Sequence, residues 1–244
     1  RTRCSFWTRG RLAHSKRHAA MPNLELPTRM LPRVLLPTLA ALGAILHPER
    51  ADLVGITSET IGVFKFERIL SQLLQDRNGR AMLRDRQRIS EHSLLKARLC
   101  ERGSLGHAYA KFMDSRQFEP SARPPVRFVQ DKQSRYIAIR LREIHDILHV
   151  LYDCPTTLKG ELTLKAIEFV QYGLPAHWAS AYFAPSRLPL AERNFLTNQL
   201  FPWAIRTASK APNLLSFDYE SLFHTPIDQL RDDWKIERIP CSSA

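Results

Sequence analysis

Residues 134–152 read SRYIAIRLREIHDILHVLY, and the periodicity of this stretch decides the fold. Ile137, Leu141, Ile144, Leu148 and Leu151 recur every three or four residues, the period of one buried helical stripe and not of a strand. No glycine or proline interrupts the run, so one long helix is expected from Ser134 to Tyr152. Downstream, Pro155-Thr156-Thr157 breaks it, and a second helix runs from Gly160 to Gly173, ended by Gly173-Leu174-Pro175. Further helical patterns follow at about 176–183 and 190–209. A last one, 226–235, opens at Pro226 and sets Ile227, Leu230 and Trp234 on one face.

The same reading extends upstream. Arg123-Pro124-Pro125 marks an extended linker. Before it, Gly103-Ser104-Leu105-Gly106 opens a helix through Tyr109, Phe112 and Met113. The stretch 80–100 is charge-dense, and Met82, Leu83, Ile89, Leu94, Leu95 and Leu99 are its expected buried positions. Thr57-Ser58-Glu59-Thr60 is able to cap a helix from Ile61 to Leu74, which Asn78-Gly79 is expected to close. Strand-like alternation is scarce and no solenoid repeat is present. The expected fold is all-α: a single helical domain over 33–240, preceded by a leader and Pro-punctuated connector over 1–32 and followed by a short tail, 241–244.

Chemistry concentrates at the end of the long helix, in His145-Asp146-Ile147-Leu148-His149. Positions four apart on a helix share a face, so His145 and His149 present two imidazoles to one point. Asp146 borders that patch, and Glu161 at the start of the next helix, beyond the Pro155 turn, is able to face back toward it. Two imidazoles with carboxylates are a donor set suited to a divalent metal, zinc by preference, with room for a water. A satisfied surface or core histidine pair is the plainer alternative. Apolar neighbours at Ile144, Ile147, Leu148 and Val150 favour the metal, because a buried group of imidazoles and carboxylates needs a compensating cation or a full hydrogen-bond network. Arg140 and Arg142, one turn earlier, are candidates to steer a substrate carboxylate, or are ordinary helix charges.

Composition narrows the function classes. The chain has 244 residues, of which 44% are hydrophobic and 25% charged, ordinary for a folded domain. The net charge is +12, but Arg1, Arg3, Arg9, Arg11, Lys16 and Arg17 fall within the first twenty residues, where no acid occurs. Without those six, 30 basic and 24 acidic side chains remain, a balance of +6. An Arg-rich, acid-free, hydroxyl-bearing opening is the composition of a mitochondrial transit peptide. No zinc-finger, RNA-recognition or homeodomain pattern accompanies the charge, so nucleic acid is not an expected partner. The apolar stretch 34–46 is interrupted by Pro37 and too short to span a bilayer. Cys4, Cys100, Cys154 and Cys241 form no CxxC pair and read as reduced thiols. No GxSxG elbow, Walker loop or dinucleotide fingerprint occurs. A His-Asp phosphohydrolase is suggested only by the His145-Asp146 doublet, with His92 and His107 as upstream partners by residue type alone.

A wider set of residues carries a family likeness. Gly103-Ser104-Leu105-Gly106, Tyr109, Phe112, Arg140, Arg142-Glu143, His145-Asp146, His149, Pro155-Thr156, Gly160-Glu161, Lys165, Glu168, Gln171 and Gly173-Leu174-Pro175 closely resemble the coenzyme Q (ubiquinone) biosynthesis protein family conventionally numbered four. Its hallmark, His-Asp-x-x-His, eleven residues and then Glu, holds here. Pro48, Arg50, Asp52, Glu59-Thr60, Gly79-Arg80 and Leu83 upstream, and Pro202-Trp203-Ala204 and Tyr219-Glu220 through Ile227-Leu230-Arg231 downstream, extend the likeness to about 33–240. Asp153 departs from the usual glycine and Leu141 from the usual aromatic. The stretches around Thr57-Ser58 and after Arg206 differ as well.

The resemblance implies an all-helical, peripheral protein on the matrix side of the mitochondrial inner membrane, in a multi-enzyme coenzyme Q assembly. It implies zinc on His145, Asp146, His149 and Glu161. The implied reaction is metal-dependent removal of the C1 carboxyl from 4-hydroxy-3-methoxy-5-polyprenylbenzoate, simple or oxidative. The alternative is a non-catalytic, lipid-binding scaffold for the other enzymes of the pathway. Implied partners are those enzymes, the polyprenylated quinone precursor and a second copy in a homodimer. A polyprenyl tail calls for an apolar groove, and 34–46 and 162–183 are candidates for it.

Overall fold

The computed structural model describes Glu59 and residues 63–123 and 125–240. The leader, the connector, the apolar stretch 34–46, the cap at Thr57-Ser58, Cys4, Cys241 and the tail lie outside the described residues. Among the described residues, ten α-helices follow one another: α1 (Val63–Gln75), α2 (Arg77–Asp85), α3 (Glu91–Arg98), α4 (Leu105–Arg116), α5 (Lys132–Tyr152), α6 (Leu158–Tyr172), α7 (Pro175–Phe183), α8 (Leu190–Phe195), α9 (Phe201–Lys210) and α10 (Ile227–Asp233). Among the described residues there is no strand, only an isolated bridge between Ser104 and Pro226. The all-helical expectation holds.

The helix α5 is the axis of the molecule. Its predicted stripe is buried throughout, with Ile137, Ile144, Leu148 and Leu151 fully enclosed. The helices α1 and α4 pack along it, while α6 packs on both α7 and α9. Its start is set by Asp131, whose carboxylate accepts the Ser134 N–H at 2.7 Å. Its end is closed from a distance: Arg231 on α10 donates to the Leu151 carbonyl at 2.8 Å and the Val150 carbonyl at 2.9 Å. A cation thus meets the negative pole of the helix and satisfies carbonyls that have no partner within it. Beyond Tyr152, Asp153 adopts a left-handed φ of 58°. That conformation explains why glycine is the usual residue there.

Two expectations about the first half need correction. Asn78-Gly79 does not close α1. Asp76 accepts from the Asn78 and Gly79 backbone N–H groups and starts α2 instead, because an Asx side chain that reaches forward caps a new helix. Gly79 serves close approach: a Cβ there would lie 2.4 Å from the Leu73 carbonyl oxygen. In the charge-dense stretch, Met82, Leu83, Ile89 and Leu94 are buried, but Leu95 is 54% and Leu99 85% exposed. The short helix α3 turns only one side to α4, and both leucines lie off that side.

The predicted helix over 190–209 is present as three parts. A π-helical turn, Leu196–Leu200, joins α8 to α9, ahead of Pro202, which has no N–H to continue the ladder. Leu196 and Leu200 anchor a small satellite core with Leu162, Ala184 and Leu188.

Candidate metal centre

The last two turns of α5 and the first turn of α6 build the centre. Helical spacing puts His145 and His149 on one face, and their Nε2 atoms lie 3.2 Å apart. The chain then reverses through Asp153, Cys154 and Pro155. Thr157 caps α6 by accepting the Gly160 N–H at 3.3 Å, which delivers Glu161 in the first helical turn. One Glu161 carboxylate oxygen is 3.2 Å from His149 Nε2, and the other is 3.5 Å from His145 Nε2. Ligand atoms of these three residues lie within 4.8 Å of one another. Gly160 is required for this approach, since a Cβ there would sit 2.0 Å from the Pro155 carbonyl oxygen.

The far side of each imidazole determines what its near side offers. His149 Nδ1 is 2.9 Å from the Cys154 carbonyl oxygen. A carbonyl only accepts, so the proton sits on Nδ1 and the neutral ring leaves a lone pair on Nε2. His145 Nδ1 is 2.8 Å from Glu168 Oε1, and Lys165 donates to the other oxygen of Glu168 at 2.7 Å. Burial opposes ionisation of Glu168, yet Lys165, His145 and His177 hold its carboxyl well below the usual range. His145 is therefore also a donor at Nδ1, with its Nε2 turned toward Glu161 and His149. With both rings neutral, two nitrogen lone pairs and a carboxylate face one another; with a ring protonated, its Nε2–H donates to Glu161 instead. Acceptors facing acceptors at such distances require a shared proton or a cation. Tetrahedral zinc with bonds of about 2.0–2.1 Å separates its ligands by about 3.4 Å, close to the 3.2 Å between the two imidazole nitrogens.

Protons compete for the same place. Burial and Lys165 work against a charged His145, but Glu168 and Glu161 carry its pKa above the ordinary value. Burial likewise opposes charge on Glu161, and hydrogen bonds from His145 and His149 nevertheless hold it well below the usual range. Phe112 stacks on His149 with ring centres 5.4 Å apart and covers the inner side. His149 is almost fully enclosed, whereas the Glu161 side chain is 36% exposed, so the centre opens to solvent on the Glu161 side.

Three of the four residues expected as ligands are thus brought together. Asp146, the fourth, is not in the group: its carboxylate is engaged by the Arg123 guanidinium. One residue on from His145, it points about 100° further around α5 and meets the segment that precedes the helix. The two arginines expected to steer a substrate are also placed otherwise. Arg140 has no exposed surface and donates to the Phe217 carbonyl at 2.8 Å. It lies five residues before His145, about 140° around the helix from it. Arg142 pairs with the buried Glu59, which also accepts the Arg127 and Phe128 N–H groups. The cations that border the centre are instead Arg123 and Arg116. Arg116 donates to Thr156 Oγ1 at 3.1 Å and lies in the field of Asp146 and Glu161. His92 and His107 do not join the group.

Sequence reading gave no role to Glu168, Lys165 or His177. A signal was present: Glu161 and Glu168 are seven residues apart, two turns along one face of α6, so the carboxylate that aligns His145 follows the one that completes the centre.

Comparison with known proteins supplies the family. Residues 23–240 match the family model described as "Coenzyme Q (ubiquinone) biosynthesis protein Coq4". The chain is 38% identical to the Bos taurus ubiquinone biosynthesis protein COQ4 homolog, mitochondrial, over 88% of this chain and 82% of that one. It is 36% identical to the Homo sapiens counterpart at the same coverage. It is also 32% identical to the Meyerozyma guilliermondii protein, over 88% of this chain and 70% of that one. A crystal structure of a Nostoc punctiforme protein, described as a candidate ubiquinone biosynthesis protein, superposes with a TM-score of 0.67 at 20% identity. It covers 81% of this chain and 95% of that one, and so supports the fold. With the match to the family model spanning most of the chain, this protein belongs to the Coq4 family of coenzyme Q (ubiquinone) biosynthesis proteins.

Proposed function

We propose that the chain binds one divalent metal, zinc by donor preference, on His145, His149 and Glu161, and uses that centre to remove the C1 carboxyl of a polyprenylated 4-hydroxybenzoate in ubiquinone biosynthesis. The observation that carries this reading is the convergence of the His145 and His149 Nε2 atoms and the Glu161 carboxylate within 4.8 Å of one another, with each Nδ1 held from behind by an acceptor. A divalent cation bound there supplies Lewis acidity and a water of lowered pKa.

The chain's own side chains supply the rest. Glu168 and the Cys154 carbonyl lock the two imidazoles in their acceptor tautomers, which is the usual work of the partners behind metal-ligating histidines. Phe112 keeps water from the inner side of His149. Arg116 and Arg123, at the rim, are the cations placed to attract and orient an incoming ring carboxylate. Loss of the carboxyl as carbon dioxide leaves an electron pair at C1 that takes up one proton. A ring hydrogen at that carbon in the product identifies this route; a ring hydroxyl there would need dioxygen and a two-electron reductant from another component.

Relatives that carry the same family pattern are named mitochondrial, which supports a mitochondrial location. Among the described residues no helix is long and apolar enough to cross a membrane, compatible with peripheral attachment on the matrix side and with partners among the other enzymes of the pathway.

The test is turnover by purified protein of 4-hydroxy-3-methoxybenzoate carrying a short prenyl chain, wild type beside His149→Ala. Release of carbon dioxide by the wild type and its loss in a folded variant is the expected result. Equal turnover ends the metal-dependent reading. No turnover in either leaves the scaffolding role as the function of the fold.

A further inference from the structure

The start of α5 and the end of α2 enclose a second concave site of about 330 Å³, lined by Arg86, Arg88, Lys132, Arg135, Tyr136 and Ile139. Its walls are tied together from the buried side. The Tyr136 hydroxyl lies 2.8 Å from the Gln87 carbonyl oxygen and 3.1 Å from that of Met82. Arg88 donates to Glu143 at 2.5 Å, and the Ile89 N–H donates to the other oxygen of the same carboxylate at 3.1 Å. Arg86, which ends α2 with a left-handed φ of 52°, turns back over the Tyr136 ring at 4.9 Å, and its Nη1 is 3.5 Å from the Lys132 carbonyl oxygen. The site is thus preformed. It is also apart from the metal centre: Ile139, its residue nearest to that centre along α5, precedes His145 by six positions, about 9 Å along the axis and about 120° around it.

Four cations line this hollow and no carboxylate does. Glu143 at its edge is taken by Arg88, and the Asp131 carboxylate is engaged by the Ser134 N–H at the start of α5. Arg135 Nε donates to the Val129 carbonyl at 2.8 Å, which leaves its two terminal nitrogens and the Lys132 ammonium without a partner among the described residues. Lys132 and Arg135 also stand in the first turn of α5, which holds no acid, although the positive pole of a helix favours acids and opposes cations. The gathered charges therefore repel both one another and the helix, a local conflict that proteins keep where a ligand resolves it. The donors select that ligand. Guanidinium forks match phosphate oxygens in pairs, and several cations call for more than one negative charge. Convergence on one bounded hollow suits a compact anion better than an extended acidic segment.

We propose that this hollow binds a small, soluble phosphate-bearing molecule, with Arg86 and Arg135 on its phosphate oxygens and Lys132 as a further point charge. Tyr136 and Ile139 supply the apolar lining for its organic part. Arg88 stays with Glu143 and adds positive potential at the edge. No residue of the metal centre takes part, so the assignment stands apart from the decarboxylation reading.

The test is calorimetric titration of the full chain, freed of unbound metal, with inorganic pyrophosphate. Binding at low salt that weakens as salt rises is the expected result. The double variant Lys132→Gln/Arg135→Gln should bind at least about tenfold more weakly, since a hydrogen bond to a charged group is worth about that factor. The Lys132 ammonium holds nothing in the fold, so Lys132→Gln alone tests the site even where the double variant misfolds, with a loss of about threefold or more. His149→Ala should bind pyrophosphate as the wild type does, which separates this site from the metal reading. Wild-type affinity in a folded Lys132→Gln variant, or no binding at low salt, overturns the proposal. Binding that disappears in His149→Ala overturns it too, because the anion then sits on the metal centre. So does loss of pyrophosphate binding when phosphatidylcholine vesicles containing phosphatidic acid are added, which assigns the cations to a lipid headgroup instead of a soluble phosphate.

Discussion

Glu168 is the residue on which the alignment of the centre turns. Its carboxylate, 2% exposed, is held by Lys165 on one oxygen and faces His145 Nδ1 with the other. Glu168→Gln keeps the shape but removes the charge and allows the amide to present a donor, so His145 loses its fixed tautomer. Zinc affinity should fall by about 10- to 100-fold, measured by competition with a chromophoric chelator, while the fold is retained. An unchanged affinity means that His145 is aligned by something else. Asp153 makes a second residue-scale case. At φ 58° an aspartate bears a left-handed backbone that glycine adopts without cost, so Asp153→Gly should raise stability by up to about 1 kcal/mol in urea unfolding. A loss of stability would show instead that the Asp153 side chain makes an interaction that outweighs the backbone strain.

At the scale of elements, the periodicity of 134–152 was enough to place the long helix and, with it, the two histidines. The buried stripe and the metal face are both read from one 3.6-residue period. What was not legible is where each remaining face points. Leu95 and Leu99 match the periodicity of buried positions, but α3 is eight residues long and packs too little surface to bury both. Asn78-Gly79 has the composition of a helix stop, yet Asp76 two residues earlier had already begun a new helix. Asp146 lies next to a true member of the cluster, and spacing alone does not say that a loop arginine, 23 residues earlier, engages it. Arg140 reads as a surface charge and is buried because a carbonyl from 217 reaches it, a contact between segments 77 residues apart. Long-range partners of this kind leave no local pattern. The turn between α5 and α6, by contrast, is fully specified by its residues. Gly160→Ala forces a methyl into the Pro155 carbonyl and must push Glu161 away. The variant should lose more than about 2 kcal/mol of stability and bind metal more weakly. Wild-type values for both would mean that the helix approach is looser than described.

At the scale of the whole molecule, the centre is held inside a buried network whose protonation links folding to pH. Burial, aided by Lys165 and His145 and opposed by Glu168, pushes the His177 imidazole down to about 4 from 6.5. In the folded chain it is neutral where the unfolded chain is protonated, so the unfolded state binds more protons between these two values. Stability from His177 is therefore present in full above about pH 6.5 and is lost as pH falls toward 4, by about 3 kcal/mol at most. Chemical unfolding of His177→Gln should show a flatter acid limb over that window. An identical limb in both proteins assigns the acid sensitivity elsewhere. The carboxyls of Glu161 and Glu168, held low, contribute in the same direction further down: their share is present above the usual carboxylate range and lost as pH falls through the depressed values.

The metal-affinity expectations depend on a cation being the natural companion of His145, His149 and Glu161. Elemental analysis of the purified chain, wild type beside His149→Ala and Glu161→Ala, measures this directly. The account predicts about one zinc per wild-type chain and a content near zero in both folded variants. A wild-type chain that stays metal-free after equilibration with zinc, or variants that retain the wild-type content, would contradict it.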